Sequence, residues 1–173
     1  MKHSCSFRFA AARLQFAVAI AALLLGGCGF HLRGEAPYTF KSVYLNAPAA
    51  SPITTELRRT LESGGSAKLV TDAKQAEVVL DVDSVEDNKS ILSLSSGGKV
   101  FEFLLTKRVL FHVHDSEGNE WLPTAEVIAR RTYTYSDTEA LAKEYEEQRL
   151  WREMQTDTVQ QIVRRLQTAK KPA

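Results

Sequence analysis

From Lys99 to His114 apolar and polar residues alternate, with Phe101, Phe103, Leu105, Val109, Phe111 and Val113 in one register and Glu102, Thr106, Arg108, His112 and His114 in the other. A period of two sustained over that length is a strand with one dry and one wet face. Asp115-Ser116-Glu117-Gly118-Asn119 reads as a turn, and Ala125 to Tyr135 alternates again with Val127, Ala129, Tyr133 and Tyr135 together. These two strands should pair as a hairpin. Glu77 to Val85 is a further strand, setting Val78, Leu80 and Val82 against Glu77, Asp81 and Asp83. Tyr38 to Asn46 is apolar in both registers, Val43 and Leu45 on one face and Phe40 and Tyr44 on the other, as an interior strand is.

Two segments repeat with helical spacing instead. Ser51-Pro52 supplies an N-cap followed by proline, and Ile53, Leu57 and Leu61 recur every fourth residue until Gly64-Gly65. Arg58 and Arg59 fall off that stripe. From Thr138 no proline intervenes until Pro172, and Trp151, Met154, Thr158, Ile162 and Leu166 form a stripe widened by Val159 and Val163. The order β-α-β-β-β-α predicts an α/β two-layer sandwich, a four-stranded mixed sheet with two helices packed on one face.

The first residues follow neither pattern. Lys2, Arg8 and Arg13 are the only charges before an apolar run from Leu14 to Leu25. Its length, roughly 12 residues, suits an export signal and falls short of the about 20 a membrane-spanning helix needs. The ending Leu25-Gly26-Gly27-Cys28 resembles the bacterial lipobox. That resemblance implies that residues 1–27 are a cleaved lipoprotein signal peptide and that Cys28 carries an S-linked diacylglycerol and an N-linked acyl chain. Residues 28–169 are then a single domain and 170–173 a flexible tail. Several chains on one residue make attachment effectively permanent, where one would hold only weakly. Gly29, rather than an aspartate, after the cysteine points to the outer membrane. With Cys5 removed and Cys28 consumed, no thiol remains for a disulfide or a metal.

Cleavage also shifts the charge. Losing Lys2, Arg8 and Arg13 from 22 basic residues leaves 19 against 21 acidic ones, about −2 in all. Bulk charge therefore gives no reason to expect nucleic acid as a partner.

Catalytic constellations are missing. There is no G-x-S-x-G turn and no free cysteine nucleophile, so the chain is expected not to be an enzyme. Asp81 and Asp83, two apart on a wet strand face and followed by Glu86 and Asp87, read as solvating carboxylates. His112 and His114 share a strand face, but a third ligand would have to come from elsewhere, and His31 is distant in sequence. They read as exposed strand histidines, with no metal and no cofactor. Leu92 to Lys99, L-S-L-S-S-G-G-K, lacks the spacing of a nucleotide-binding loop. It is either a plain solvated loop or one whose serines, amides and Lys99 meet a phosphate. Lys107, Arg108, Arg130, Arg131 and Lys143 are candidates to join Lys99 in a basic patch, at most one from each adjacent strand pair.

The segment Cys28-Gly29-Phe30-His31-Leu32-Arg33-Gly34 resembles the opening of the lipopolysaccharide-assembly lipoprotein LptE family. The glycine loop before Phe101-Glu102-Phe103, the Ala140-Leu141-Ala142-Lys143 run and Arg164-Arg165-Leu166 are also similar to that family. The resemblance implies an outer-membrane lipoprotein that complexes with the β-barrel LptD as a heterodimer, acting as its plug and assembly partner in the lumen. It further implies binding of lipopolysaccharide and support of its transport to, and insertion in, the outer leaflet. Lys143 would contact lipopolysaccharide by its match to the A-L-A-K run. Lys99 stands in for the loop cation, because Ser95 and Ser96 occupy the place where the family carries arginine. The residues read without the family leave a second possibility open, a freestanding periplasm-facing binding lipoprotein such as a barrel-assembly accessory factor or an enzyme inhibitor.

Overall fold

The computed structural model describes residues 37–64 and 66–172. The expected signal peptide, Cys28 and the motif that follows it lie outside the described residues. Five strands form one sheet in the order β2-β1-β3-β4-β5: β1 (Ser42–Asn46), β2 (Lys68–Val70), β3 (Val78–Leu94), β4 (Val100–His114) and β5 (Glu120–Thr134). β1 runs parallel to both of its neighbours, and β3, β4 and β5 form an antiparallel meander. The sheet is thus mixed, as expected, with one strand more. That strand, β2, is three residues long, too short to display a period.

Helices α1 (Pro52–Ser63) and α2 (Ala140–Thr168) complete the other layer. Ile53, Leu57 and Leu61 from α1 and Val159, Ile162, Val163 and Leu166 from α2 are buried in one cluster with Val43, Leu45, Val78, Leu80, Val82, Val109, Phe111 and Val113 of the sheet. The two helices are tied together by Glu56, which accepts hydrogen bonds from Gln155 Nε2 at 2.6 Å and Thr156 Oγ1 at 2.8 Å. Ser51 occupies the cap position without a side-chain cap, its carbonyl instead accepting from Thr54 N at 3.0 Å.

Strand and helix lengths explain the rest of the layout. At about 3.4 Å per residue the 15 residues of β4 span roughly 50 Å, whereas the 12 residues of α1 span about 18 Å. The far half of the β3–β4–β5 meander is therefore covered by α2 alone, over a second core cluster of Leu105, Ala129, Tyr133, Leu150 and Met154.

β3 is also far longer than its alternating segment. It continues through Glu86–Ser90 because β4 offers it a partner all the way to Leu94, so Leu92–Leu94 belong to the strand and the loop shrinks to a turn at Ser95–Lys99. A bulge between Val82 and Ser84 reverses which residues face the helices: Val82 pairs with Phe111, yet Val85 pairs with Val109. Pro123 is accommodated because β5 is an edge strand and a second register shift lies beside it. The β4–β5 turn is held by Asp115, whose carboxylate accepts from the backbone N–H groups of Glu117 and Asn119, both at 2.9 Å, with Gly118 at a φ of +86°.

Candidate functional site

Where α2 begins, it overhangs the far end of the meander and leaves a cleft of about 590 Å³ lined by Lys89, Tyr133, Tyr135, Leu141, Lys143 and Glu147, among others. Lys143 sits one turn into the helix, with its Nζ 3.0 Å from Glu146 and 3.3 Å from Thr134 Oγ1. Lys99, in the β3–β4 turn, is 76% exposed along its side chain and pairs with Asp137 just before the helix at 3.1 Å. The Lys99 pair is a surface one, worth a few tenths of a kcal/mol up to about 1 kcal/mol, whereas the Lys143 side chain is only 17% exposed.

The floor of the cleft is different. Lys89 Nζ lies 2.5 Å from Glu147 Oε2 and 4.2 Å from the centre of the Phe103 ring, and Tyr133 Oη donates to the same glutamate oxygen. Trp151 Nε1 donates to Glu147 Oε1 at 3.3 Å. Partial burial works against each charge, but the hydrogen bonds from Lys89, Tyr133 and Trp151 outweigh it and hold the Glu147 carboxyl below the ordinary glutamate range. Burial likewise acts to lower Lys89, yet its bonds to Glu147 and Tyr133 prevail and raise it. Burial and the hydrogen bond to Glu147 both raise Tyr133.

Because the folded-state value of Glu147 is depressed, its stabilisation is complete above the ordinary 4.5 and is lost as pH falls through the lower folded value. Lys89 and Tyr133 are raised, so their contribution holds below about 10 and is lost as pH climbs beyond. Glu147→Gln should thus lower the urea midpoint at pH 7, with the gap from wild type narrowing toward pH 3. A gap of constant size across that range would show that the carboxylate's charge contributes nothing.

Around the cleft the surface is apolar. Among the described residues the exposed large hydrophobic side chains are Ile91, Leu92, Leu94, Phe101, Leu141 and Tyr145, with Leu141 at 66% and Tyr145 at 65%. All lie on the far end of the β3–β4 hairpin or the first turns of α2. Exposed apolar surface concentrated in one region marks an interaction site. The first turn of α2 has no acidic side chain and no side-chain cap, although Glu139 in the cap position and Asp137 before it set carboxylates beside the helix start.

Of the other expected basic-patch residues, Lys107 turns inward. It is 4% exposed, pairs with Asp87 at 2.5 Å and lies 5.5 Å from the Trp151 ring, because its register on β4 is the helix-facing one. Arg131 is tied to Asp157 of α2, and Arg108 to Glu126 at 3.1 Å. Lys89 escaped the alternation argument because, without the bulge, it would share a face with Asp81 and Asp83. Those two carboxylates are not simply solvated. Asp81 Oδ2 lies 2.8 Å from His114 Nε2, and Asp83 Oδ2 3.0 Å from His112 Nδ1.

Residues 40–166 match the model of a family described as LptE, lipopolysaccharide-assembly. The LPS-assembly lipoprotein LptE of Pectobacterium atrosepticum is 30% identical over 153 residues, 86% of this chain and 82% of that protein. Its counterpart in Photorhabdus laumondii is 29% identical over 158 residues, 90% and 85% of the two chains. Among solved structures, lipoprotein B from Nitrosomonas europaea superposes with a TM-score of 0.71 at 36% identity, covering 80% of this chain and 90% of its own. A minor lipoprotein from Acinetobacter baumannii follows with a TM-score of 0.64 at 28% identity, covering 79% and 99%.

Proposed function

The chain belongs to the LptE lipopolysaccharide-assembly family, and from that premise we propose that the cleft at the start of α2 and its apolar rim take the lipid A end of lipopolysaccharide. It is a lipoprotein of lipopolysaccharide assembly, and the proposal concerns how it does that work. The observation that carries the reading is the meeting of Lys143 and Lys99 with the exposed side chains of Ile91, Leu94, Phe101, Leu141 and Tyr145 at one end of the molecule. Lipid A joins phosphates to acyl chains. Phosphate offers lysine charge-assisted hydrogen bonds in place of the carboxylate pairs, and the acyl chains give the apolar rim something to cover.

Lys143 and Lys99 are the residues in this reading that meet phosphate; Lys89 is committed to Glu147 and the aromatic floor, and serves to hold α2 on the meander.

The same proposal places the chain in a heterodimer with the barrel protein LptD, as its plug and assembly partner, anchored to the outer membrane through lipids on Cys28. A barrel lumen is polar, and a plug needs a mosaic of charge more than one greasy face. Away from the cleft the surface has that character, in the pairs Arg108–Glu126, Arg131–Asp157 and Arg149–Glu153.

Purification from membranes in mild detergent tests both parts. A large barrel should accompany the chain, and the mature N-terminus should have the mass of an acylated Cys28. Recovery of an acylated chain that binds another target with no barrel present would favour the freestanding binding lipoprotein instead.

A further inference from the structure

At the opposite end of the meander from the cleft, on the sheet face turned away from the helices, three lone-pair donors converge. His112 and His114 project from β4, and Asp81 projects from β3 beside them. Asp81 Oδ2 lies 3.3 Å from His112 Nε2 and 2.8 Å from His114 Nε2, and the candidate ligand atoms of the three residues all fall within 4.8 Å of one another. The imidazole rings are stacked, with centres 5.7 Å apart.

The outer atoms of these residues decide which inner atoms are free. His114 Nδ1 is 2.6 Å from the carbonyl oxygen of Asp115, an atom that only accepts, so Nδ1 is the donor. His112 Nδ1 is 3.0 Å from the Asp83 carboxylate and donates to it. In a neutral imidazole the other nitrogen then offers a lone pair, and in both rings that nitrogen is Nε2, aimed at Asp81. Asp81 in turn is held by Asn46, whose Nδ2 donates to Oδ1 and leaves Oδ2 directed at the rings.

With both rings neutral, two imidazole lone pairs and a carboxylate oxygen face one point, where a single dication satisfies all three. A tetrahedral ion with bonds of about 2.0–2.2 Å sets its ligand atoms roughly 3.3–3.5 Å apart, the Asp81–His112 spacing, and the 2.8 Å from Asp81 to His114 would open by about 0.5 Å to match. Each ligand also has an outer partner of the kind that orients metal-bound histidine and carboxylate: Asp83, the Asp115 carbonyl and Asn46. The β3 bulge supplies one of them, since Asp83 is the residue left unpaired between Val82 and Ser84.

We propose that Asp81, His112 and His114 bind a divalent first-row transition ion of the zinc class, with Asp83 as a positioning residue and the fourth position open to water. Two imidazoles and a carboxylate suit zinc, and side-chain exposures of 27%, 28% and 15% for His112, His114 and Asp81 leave a path for the ion.

The test uses the full chain, free of any histidine tag, purified in detergent and stripped with a chelator. Titration with Zn²⁺ followed by calorimetry and native mass spectrometry should give one ion per chain. His112→Gln with His114→Gln should abolish that binding while the chain in chelator still unfolds in one cooperative transition, and Asp83→Ala should weaken it by about 10- to 100-fold. Co²⁺ in the same site should show the strong visible bands of a four-coordinate ion. No Zn²⁺ uptake at micromolar concentrations would overturn the proposal, and so would uptake that the double glutamine variant leaves intact.

Discussion

Lys143→Glu should weaken lipopolysaccharide binding about 10- to 100-fold, because a charge-assisted hydrogen bond contributes about 1.5–3 kcal/mol and the new carboxylate adds repulsion to its loss. The fold should hardly notice. Lys143 gives up an i,i+3 pair with Glu146 and a 3.3 Å contact with Thr134, together a few tenths of a kcal/mol. In return an acidic side chain enters the first turns of a helix that has no acid in its first turn, which its dipole favours. The new carboxylate also meets Glu146 and Glu147 at i,i+3 and i,i+4, a repulsion of a few tenths of a kcal/mol each, so the total cost to folding stays about 1 kcal/mol or less. The check is binding of purified lipopolysaccharide to wild type and variant alongside their melting curves. Unchanged binding by Lys143→Glu, together with a strong loss in Arg130→Glu or Arg108→Glu, would move the site onto the wet face of the meander.

Phe111→Ala should cost about 3–5 kcal/mol, a large share of the roughly 5–15 kcal/mol that holds a domain of this size together. Phe111 is fully buried toward the C-terminal end of β4, opposite Val82 and Ala125, with the Arg165 guanidinium 6.0 Å from its ring. The helices above and the strands on either side leave little room to collapse into the cavity. Phe101 belongs to the same strand and the same alternation, yet it is 49% exposed at the hairpin tip, and Phe101→Ala should shift stability by less than about 0.5 kcal/mol. Urea midpoints of the two variants measure the contrast. Similar losses in both would mean that the far end of the meander is packed against something the core account omits.

That contrast also explains how much could be read from the residues in order. Alternation and helical stripes carry the long strands, both helices and the layer they form, because burial on one face leaves a period in the sequence. β2 leaves none, since three residues cannot. The continuation of β3 through Glu86–Ser90 is invisible for another reason: its pairing is made by backbone groups whose partner, β4, supplies the apolar residues. The bulge at Val82/Ser84 has the widest consequence, for one extra residue moves Asp87, Lys89 and Ile91 to the face opposite the one that simple alternation assigns. With it go Lys89 on the floor of the cleft and Ile91 of its apolar rim. Lys143 was legible through a family motif, and the structure sets it on the wall of that cleft. The convergence of Asp81 with His112 and His114 depends on strand register, which no spacing within a single strand reveals.

The central claim is that the start of α2 and the β3–β4 tip meet lipopolysaccharide. A photo-crosslinking amino acid placed in living cells at Leu141, Tyr145 or Phe101, with Arg58 on the exposed side of α1 as the control position, tests it most directly. The account predicts adducts that react with antibody to lipopolysaccharide at the first three positions and none at Arg58. Adducts at Arg58 with none at the other three would contradict it.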